Sequence, residues 1–256
     1  MQPLRLCSVD YLNSAPLVWG LLHGPRQDLF DLAFRVPSEC ADQVASGAAD
    51  IGNIPAIEMQ RQNLKMVPGL GVASRGAVRS ILLVSKRPLA GIRTLAADSG
   101  SRTSVALTRI ILSRRYGAEP ELHPHAPNLD AMLDRADAAL IIGDPALRLD
   151  PASLPYLVAD LGQEWTDMTG LPMVFAVWAG HERHITPAVV DALTESCRFG
   201  RAHLDEIVKI DGAARGIPED LAREYLTRHI VNELGPREQE GLQLYLRYAR
   251  EELVAV

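Results

Sequence analysis

The sequence predicts an α/β protein with two lobes, each built on a mixed, mostly parallel sheet, and with a ligand cleft between the lobes. Short apolar runs alternate with helical segments in two successive units of similar style. A polar connection over 86–93 separates these units, and the chain beyond about residue 180 has helical periodicity. Strands joined through helices favour right-handed crossovers, which place parallel strands side by side.

Apolar runs and proline positions define the first unit. Pro16 falls in the first turn of a helix, where its missing N–H costs little, and Pro37 opens the next helix. Pro55 stops a strand and precedes a third helix. The predicted strands are Leu4–Val9, Leu32–Val36, Asp50–Ile54, Leu64–Val72 and Val78–Ser85, and the predicted helices are Asn13–Leu22, Pro37–Val44 and Ala56–Gln62.

The second unit repeats this alternation. A polar turn over Ser99–Ser104 leads into a helix that Gly117 ends, and Asn128 is a good N-cap for the following helix. After Gly143-Asp144-Pro145 the segment up to residue 160 reads as a loop, and the C-terminal part reads as helical. The predicted strands are Thr94–Ala97, Glu121–His125, Ala138–Ile142 and Met173–Trp178, and the predicted helices are Val105–Tyr116, Asn128–Arg135 and Leu161–Met168.

These units and the helical C-terminus predict a discontinuous first lobe. Residues 1–86 and 180–256 would form it, and residues 87–179 would form a second lobe inserted into it. Two chain crossings then make a hinge. Because ligands of open α/β sheets bind beyond the carboxyl ends of the strands, the turns after the strands are the places to look for a site.

Composition and charge limit the function classes. The formal net charge of −6 argues against a polyanion such as nucleic acid as partner, although it allows a small anionic ligand. No apolar run approaches the roughly 18 residues of a membrane span, and the N-terminus does not resemble a secretory signal. Three scattered cysteines suggest buried reduced thiols. We therefore expect a cytoplasmic protein that binds a small molecule, without a membrane partner, with a homodimer as one option for its assembly.

Polar residues follow the first and third predicted strands. Asn13 and Ser14 can donate to an anion or a hydroxyl, although capping of the helix by either residue is the better interpretation of this segment taken alone. Gly52 and Pro55 allow a tight turn close to a ligand. Glu58, in the first turn of the next helix, could act as a base or simply complement the helix dipole.

Two further segments offer hydrogen-bond donors. Arg79 is a natural fork for a carboxylate and Ser80 supplies a hydroxyl, although a surface Arg beside a strand-edge Ser is equally common by chance. Ser101–Ser104 carries hydroxyl groups directly before a helix, where free N–H groups favour a carboxylate or phosphate. The spacing fits neither a P-loop nor a dinucleotide fingerprint.

Other catalytic patterns are missing from the sequence. The seven histidines are scattered, and the close pairs His123/His125 and His181/His184 have no further ligands to complete a metal site. No nucleophile elbow or paired acid motif is present. We therefore predict a site without metal or cofactor. It would belong either to a binding protein or to an enzyme that acts by positioning and electrostatics.

Seven sequence segments together carry a family resemblance. They are Ser8–Pro16, Val36–Asp42, Ala49–Pro55, Gly76–Ser80, Asp98–Thr108, Ala138–Leu147 and Asp160–Trp178. In order and spacing they resemble the chorismate dehydratases of the futalosine-dependent menaquinone pathway. The resemblance implies a type II periplasmic-binding-protein-like fold and a carbon–oxygen lyase that removes water from chorismate to give 3-[(1-carboxyvinyl)oxy]benzoate.

The resemblance also implies roles for individual residues. Asn13 and Ser80 would be catalytic, and no protein base is evident, so the enolpyruvyl carboxylate of the substrate is a credible proton acceptor. The implied substrate-binding residues are Tyr11, Ser14, Asn53, Pro55, Arg79, Ser101, Arg102, Thr103, Ser104 and Asp144.

Three alternatives stay open at this point. An enzyme that makes 1,4-dihydroxy-6-naphthoate is disfavoured, because its first strand would end in a Pro-Cys-Pro-Asn type of turn instead of the turn over Asp10–Pro16. A solute-binding protein for small anions would need an export signal or a lipid anchor. A transcriptional effector domain would need an attached helix-turn-helix.

Overall fold

A computed structural model describes residues 3–24 and 29–254, so the predicted lobe limits at 1 and 256 lie outside the described residues. Its strands form two sheets. The strands are β1 (Leu4–Val9), β2 (Phe30–Arg35), β3 (Ile51–Pro55), β4 (Lys65–Ser74), β5 (Ile81–Ser85), β6 (Thr94–Asp98), β7 (Glu121–His125), β8 (Ala138–Ile142), β9 (Leu157–Asp160), β10 (Met173–Gly180) and β11 (Val231–Glu233).

The helices cover these sheets and connect their strands. They are α1 (Ala15–His23), α2 (Pro37–Ala45), α3 (Ala56–Arg61), α4 (Thr103–Tyr116), α5 (Leu129–Arg135), α6 (Gly143–Leu147), α7 (Leu161–Thr169), α8 (Pro187–Ala202), α9 (Leu204–Ile207), α10 (Glu219–Glu224) and α11 (Pro236–Val254). A 3₁₀ turn precedes α1, and two π-helical turns, Val208–Gly212 and Tyr225–His229, follow α9 and α10.

Several predicted helix ends are confirmed. The side chain of Asn128 accepts a hydrogen bond from the N–H of Ala131 at 3.0 Å and thereby caps α5. Gly117 ends α4 with a φ of 63°, a left-handed conformation that glycine adopts without strain. Local capping chemistry was therefore sufficient to place these boundaries.

Both sheets are mixed. The first has the order β11-β4-β10-β3-β1-β2, and the second has the order β7-β6-β8-β5-β9. Around β1 and β6 the neighbouring strands are parallel, whereas β10, β11, β5 and β9 run antiparallel to their partners. The parallel share is smaller than predicted, because the strands that enter a sheet from the other lobe run in the opposite direction.

Two predicted strands pair with the sheet opposite to the one expected. β5 was placed at the end of the first lobe but pairs with β8 and β9 of the second sheet. β10 was placed in the inserted lobe but pairs with β3 and β4 of the first sheet. Both strands are buried on both faces, so their apolar runs do not indicate which sheet each strand joins. The lobe limits at residues 86 and 180 stay a prediction.

One continuous core joins the lobes. It includes the three buried tryptophans Trp19, Trp165 and Trp178, and a smaller apolar cluster covers the other face of the second sheet. Helix α11 packs against β10 and α3 of the first lobe and against α4 of the second. The C-terminal helix therefore fixes the lobes relative to each other.

The predicted state of the cysteines is confirmed, since Cys7, Cys40 and Cys197 are buried and free. Within 3–24 and 29–254, the structure has no helix that is long and apolar enough to cross a membrane. The cytoplasmic location stays a prediction.

Candidate active site

A cleft of about 450 Å³ lies between the two sheets, at the ends of their strands. Its location agrees with the rule that ligands bind beyond the carboxyl ends of strands. The predicted site residues that line it are Tyr11, Asn13, Ser14, Pro55, Ser80, Ser101, Arg102, Thr103 and Ser104.

Five side chains form a continuous hydrogen-bond chain, of which Asn13, Ser14 and Ser80 line the cleft. Asn53 Nδ2 donates to Ser14 Oγ at 3.1 Å, and Ser14 donates to Asn13 Oδ1 at 3.1 Å. Asn13 Nδ2 then donates to Tyr225 Oη at 3.0 Å. The Tyr225 hydroxyl donates to Ser80 Oγ at 2.6 Å. We call these five residues the hydrogen-bond chain.

The start of α1 explains why these polar groups are available. Leu12–Ser14 forms a 3₁₀ turn, and neither this turn nor α1 has a side-chain cap at its N-terminus. The capping alternative for Asn13 and Ser14 is therefore wrong. Asn232 Nδ2 donates to the Asn13 carbonyl at 3.1 Å and holds this turn in place.

Tyr225 is a member of the chain that the sequence analysis missed. It lies in the π-helical turn Tyr225–His229 and is fully buried. Burial raises the pKa of its hydroxyl, against the opposing effect of its bonds to Ser80 and Asn13, so the group is neutral. Tyr225 is 145 residues from Ser80 in the sequence, and nothing in the local pattern marks it.

A second part of the cleft wall is the N-terminus of α4. Ser101 Oγ accepts a hydrogen bond from the Ser104 N–H at 3.2 Å, as a cap does. Thr103 Oγ1 accepts from the N–H of Ile57 in the first lobe at 3.3 Å. The first-turn N–H groups of a helix have no acceptor within the helix, and its dipole favours negative charge there. We call Ser101–Ser104 the cradle, and it is suited to a carboxylate.

Arg102 contributes to the cradle differently from its neighbours. Its guanidinium pairs with Asp42 at 2.7 Å and with Glu58 at 3.2 Å, both on helices of the first lobe. Glu58 also pairs with Arg61 at 3.0 Å. The charged head of Arg102 is thus engaged in a contact between the lobes.

Asp98 is a buried carboxyl at the end of β6, just before the cradle. Its Oδ1 accepts a hydrogen bond from the Gly100 N–H at 2.8 Å, whereas Oδ2 has no partner among the described residues. Burial raises the pKa of Asp98, against the opposing effect of the Gly100 N–H. The carboxyl therefore costs free energy to ionise in the folded protein.

Tyr11 closes the cleft from the side of the first lobe. Its ring packs on Gly143, where an added Cβ would come within 2.5 Å of the ring. Gly143 has a φ of +65°, which also favours glycine. Burial and the charges of Asp98 and Asp144 raise the pKa of the Tyr11 hydroxyl.

Three predicted binding residues do not line the cleft. Asn53 lies behind Ser14 in the hydrogen-bond chain, as described above. Arg79, in a left-handed conformation at φ 67°, directs its guanidinium to the carbonyl of Leu149 at 2.6 Å, and its N–H donates to Asp160. A binding role for these residues stays a prediction, as it does for the third, Asp144.

Asp144 ties the lobes together. Its Oδ1 accepts from the Leu12 N–H at 3.0 Å, and its Oδ2 accepts from Arg215 at 3.0 Å. Arg215 also pairs with Asp10 at 2.8 Å. Burial raises the pKa of Asp144 despite these two donors. Arg215 was missed because a single Arg in a helical C-terminus has no distinguishing pattern.

The cleft thus offers hydroxyl and amide groups but, among the lining residues described, neither an imidazole nor a carboxylate. No cluster of three or more candidate metal ligands exists within 3–24 and 29–254. The absence of metal and cofactor stays a prediction. The donors present suit the binding of a small anion and the stabilisation of negative charge that develops on it.

Comparisons with known proteins agree with this geometry. The sequence model of a family described as menaquinone biosynthesis matches residues 4–251. A chorismate dehydratase from Thermus thermophilus is 31% identical over 244 residues, which are 88% of each chain.

Solved structures are similar in fold. A crystal structure of a protein from Archaeoglobus fulgidus matches with a TM-score of 0.77 and 18% identity over 98% of both chains. The periplasmic aliphatic sulphonate binding protein of Escherichia coli matches with a TM-score of 0.67 and 16% identity, over 99% of this chain and 94% of that one. The predicted periplasmic-binding-protein-like fold is confirmed.

Proposed function

The chain belongs to the menaquinone biosynthesis family, and from this premise we propose that it is a chorismate dehydratase. The reaction removes water from chorismate and leaves 3-[(1-carboxyvinyl)oxy]benzoate. In enzyme class this is a carbon–oxygen lyase. The likeness to a curated dehydratase over 88% of both chains supports the proposal.

The chemistry suits the groups in the cleft. Chorismate loses its ring C3 hydrogen and its C4 hydroxyl. The carbanion at C3 is conjugated with the ring carboxylate, so donors that bind this carboxylate stabilise the developing charge. Departure of hydroxide makes the ring aromatic, a large driving force that leaves mainly positioning to the protein.

The two walls divide this task in the proposed mechanism. The cradle holds a substrate carboxylate through the hydroxyls and helix-end amides of Ser101–Ser104. Asn13 and Ser80 bind the reacting face, and one of them assists the departing hydroxyl. The C3 proton goes to the enolpyruvyl carboxylate of the substrate, since no protein base lines the cleft among the described residues.

The single observation that carries this assignment is the placement of Asn13 and Ser80. They come from different sheets, yet Tyr225 joins them at 3.0 and 2.6 Å on one wall of the cleft. The cradle lines the same cleft. A small dianion therefore meets anion-binding groups at one end and hydroxyl and amide donors at the other.

One assay tests the proposal directly. Purified protein is incubated with chorismate without added cofactor, and the product is analysed by mass spectrometry. We expect the loss of one water per chorismate and the ultraviolet absorption of a benzoate. If chorismate binds but is recovered unchanged, the protein is a binding protein for small anions and the proposal fails.

A further inference from the structure

The direction of the hydrogen bonds in the chain assigns a role to Tyr225 that extends the proposed function. Asn13 presents its Nδ2, a group that only donates, to Tyr225 Oη. The neutral phenol of Tyr225 has one hydrogen, and this hydrogen cannot bond to the Asn13 amide group, which is itself a donor. It therefore goes to Ser80 Oγ at 2.6 Å, the shortest bond of the chain.

The Asn53 end of the hydrogen-bond chain supports this direction of the hydrogen bonds. As the amides are oriented, the buried atom without a partner is Asn53 Oδ1, an acceptor. The reverse direction would leave Asn53 Nδ2 as an unpaired buried donor. Unpaired buried N–H groups are rarer in proteins than unpaired carbonyl oxygens, so the observed direction is the favoured one.

The consequence concerns the hydrogen of Ser80. Because Ser80 Oγ receives the Tyr225 hydrogen, its own hydrogen points elsewhere, and no other described side chain accepts it. Ser80 is fully buried from bulk solvent but lines the cleft. The free direction of its hydroxyl is therefore toward a molecule in the cleft.

From this geometry we propose that Tyr225 is a positioning residue that makes Ser80 the hydrogen-bond donor and acid for the departing hydroxyl. The proposal rests on the proposed function. As the C4–O bond breaks, the leaving hydroxide takes the Ser80 proton and departs as water. The Tyr225 O–H stabilises the negative charge left on Ser80 Oγ. Ser80 then regains a proton from the enolpyruvyl carboxylic acid that formed when C3 lost its hydrogen.

The test uses Tyr225→Phe, which removes one oxygen and preserves the ring in the core. We expect kcat to fall about 10- to 100-fold, with KM changed less than about twofold. In a Ser80→Ala background, the same substitution should lower kcat by less than about threefold, because Tyr225 acts through Ser80. Tyr116→Phe is the matched control, since Tyr116 loses a bond to Glu164 at 2.7 Å outside the cleft.

The outcomes separate the two proposals. If the wild type does not turn chorismate over, the proposed function is wrong and the role of Tyr225 falls with it. If the wild type is active and Tyr225→Phe retains the wild-type kcat, only the role of Tyr225 is wrong. The same conclusion holds if the separate losses of kcat in Tyr225→Phe and Ser80→Ala multiply in the double variant. Should the Phe variant fail to fold, 3-fluorotyrosine at position 225 retains the bond with a more acidic hydroxyl, and an unchanged kcat would overturn the role.

Discussion

The two walls of the cleft are organised in opposite ways. On the first wall, five side chains bond to one another, and Tyr225 Oη links Asn13 and Ser80. On the second wall, the N–H groups of Ser101 and Ser104 bond to the Asp98 carbonyl and to Ser101 Oγ, and the Arg102 guanidinium is held in ion pairs. The hydroxyls of Ser101 and Thr103 accept hydrogen bonds, which leaves their own hydrogens available. The first wall is preorganised in direction, whereas the second wall leaves hydroxyl hydrogens available to a ligand.

This difference predicts different kinetic roles. A group whose hydrogen is fixed in direction before the substrate arrives can act on the transition state, which affects kcat. A group that binds a carboxylate equally before and during the reaction affects KM. Substitutions on the two walls should therefore separate these two constants.

The largest effect is expected when the first wall is broken. Ser80→Ala and Asn13→Ala should each lower kcat about 10²- to 10³-fold with little loss of stability, because in the proposed mechanism they remove groups at the reacting face. Steady-state kinetics and thermal unfolding measure both quantities. Ser85→Ala is the control, since its buried hydroxyl bonds to the Arg87 carbonyl away from the cleft. Normal turnover by both cleft variants would rule out the catalytic assignment.

The second-largest effect is expected for the contact between Arg215 and Asp144, which joins the lobes. Arg215→Met leaves the buried Asp144 carboxylate with only the Leu12 N–H, and we expect a loss of about 2 kcal/mol in unfolding free energy, reduced because Arg215 is partly exposed. Denaturant unfolding measures it. Arg223→Met, which breaks exposed pairs with Asp205 and Glu219, should cost much less, because water screens exposed ion pairs. Equal losses in the two variants would contradict the tie.

On the second wall, Ser104→Ala removes a hydroxyl that lines the cleft. We expect KM for chorismate to rise about tenfold, or about 1.4 kcal/mol, while kcat changes less than threefold. Ser113→Ala, at the far end of the same helix, loses a bond to Glu252 and should leave KM unchanged. A fall in kcat with constant KM would mean that the cradle acts on the transition state.

A substitution of Ser101 tests whether the cradle also stabilises the folded protein. Ser101→Ala removes the acceptor of the Ser104 N–H and should lower the unfolding free energy by about 1 kcal/mol, a typical net value for one hydrogen bond. Chemical denaturation of both proteins measures it. Ser101→Asp restores an acceptor and should recover the stability while its charge weakens substrate binding. An alanine variant as stable as the wild type would show that the cap contributes nothing.

The smallest effect is expected in the pH dependence of stability. Burial raises the pKa of Asp98 above its ordinary value of 3.8, so the folded state binds the proton more tightly than the unfolded state does. Stability is then fully present below pH 3.8 and declines as the pH rises through the folded pKa. Relative to the wild type, Asp98→Asn should gain unfolding free energy over this range, and a difference independent of pH would contradict the raised pKa.

Much of the fold could be predicted from local patterns. β1, β7 and β8 have the predicted bounds, because apolar runs and their flanking turns are local signals. The short edge strand β11 was predicted as helix and β9 as loop, since three or four residues carry too little pattern. The rule that ligands bind beyond the carboxyl ends of strands located the cleft and nine of its lining residues. Tyr225 and Arg215 were missed, because only tertiary contacts bring them to the cleft.

The hydrogen-bond chain also has a consequence for how the protein is made. The Asn13–Tyr225 bond joins residues that are 212 positions apart. Such a contact cannot form before residue 225 has been synthesised, and closing so long a loop costs entropy before the contact stabilises it. During synthesis the emerging N-terminal strands can begin to pair, but the wall of the cleft stays incomplete until the ribosome has released the C-terminal helices. A nascent chain has no finished site, and the last quarter of the translation product completes it.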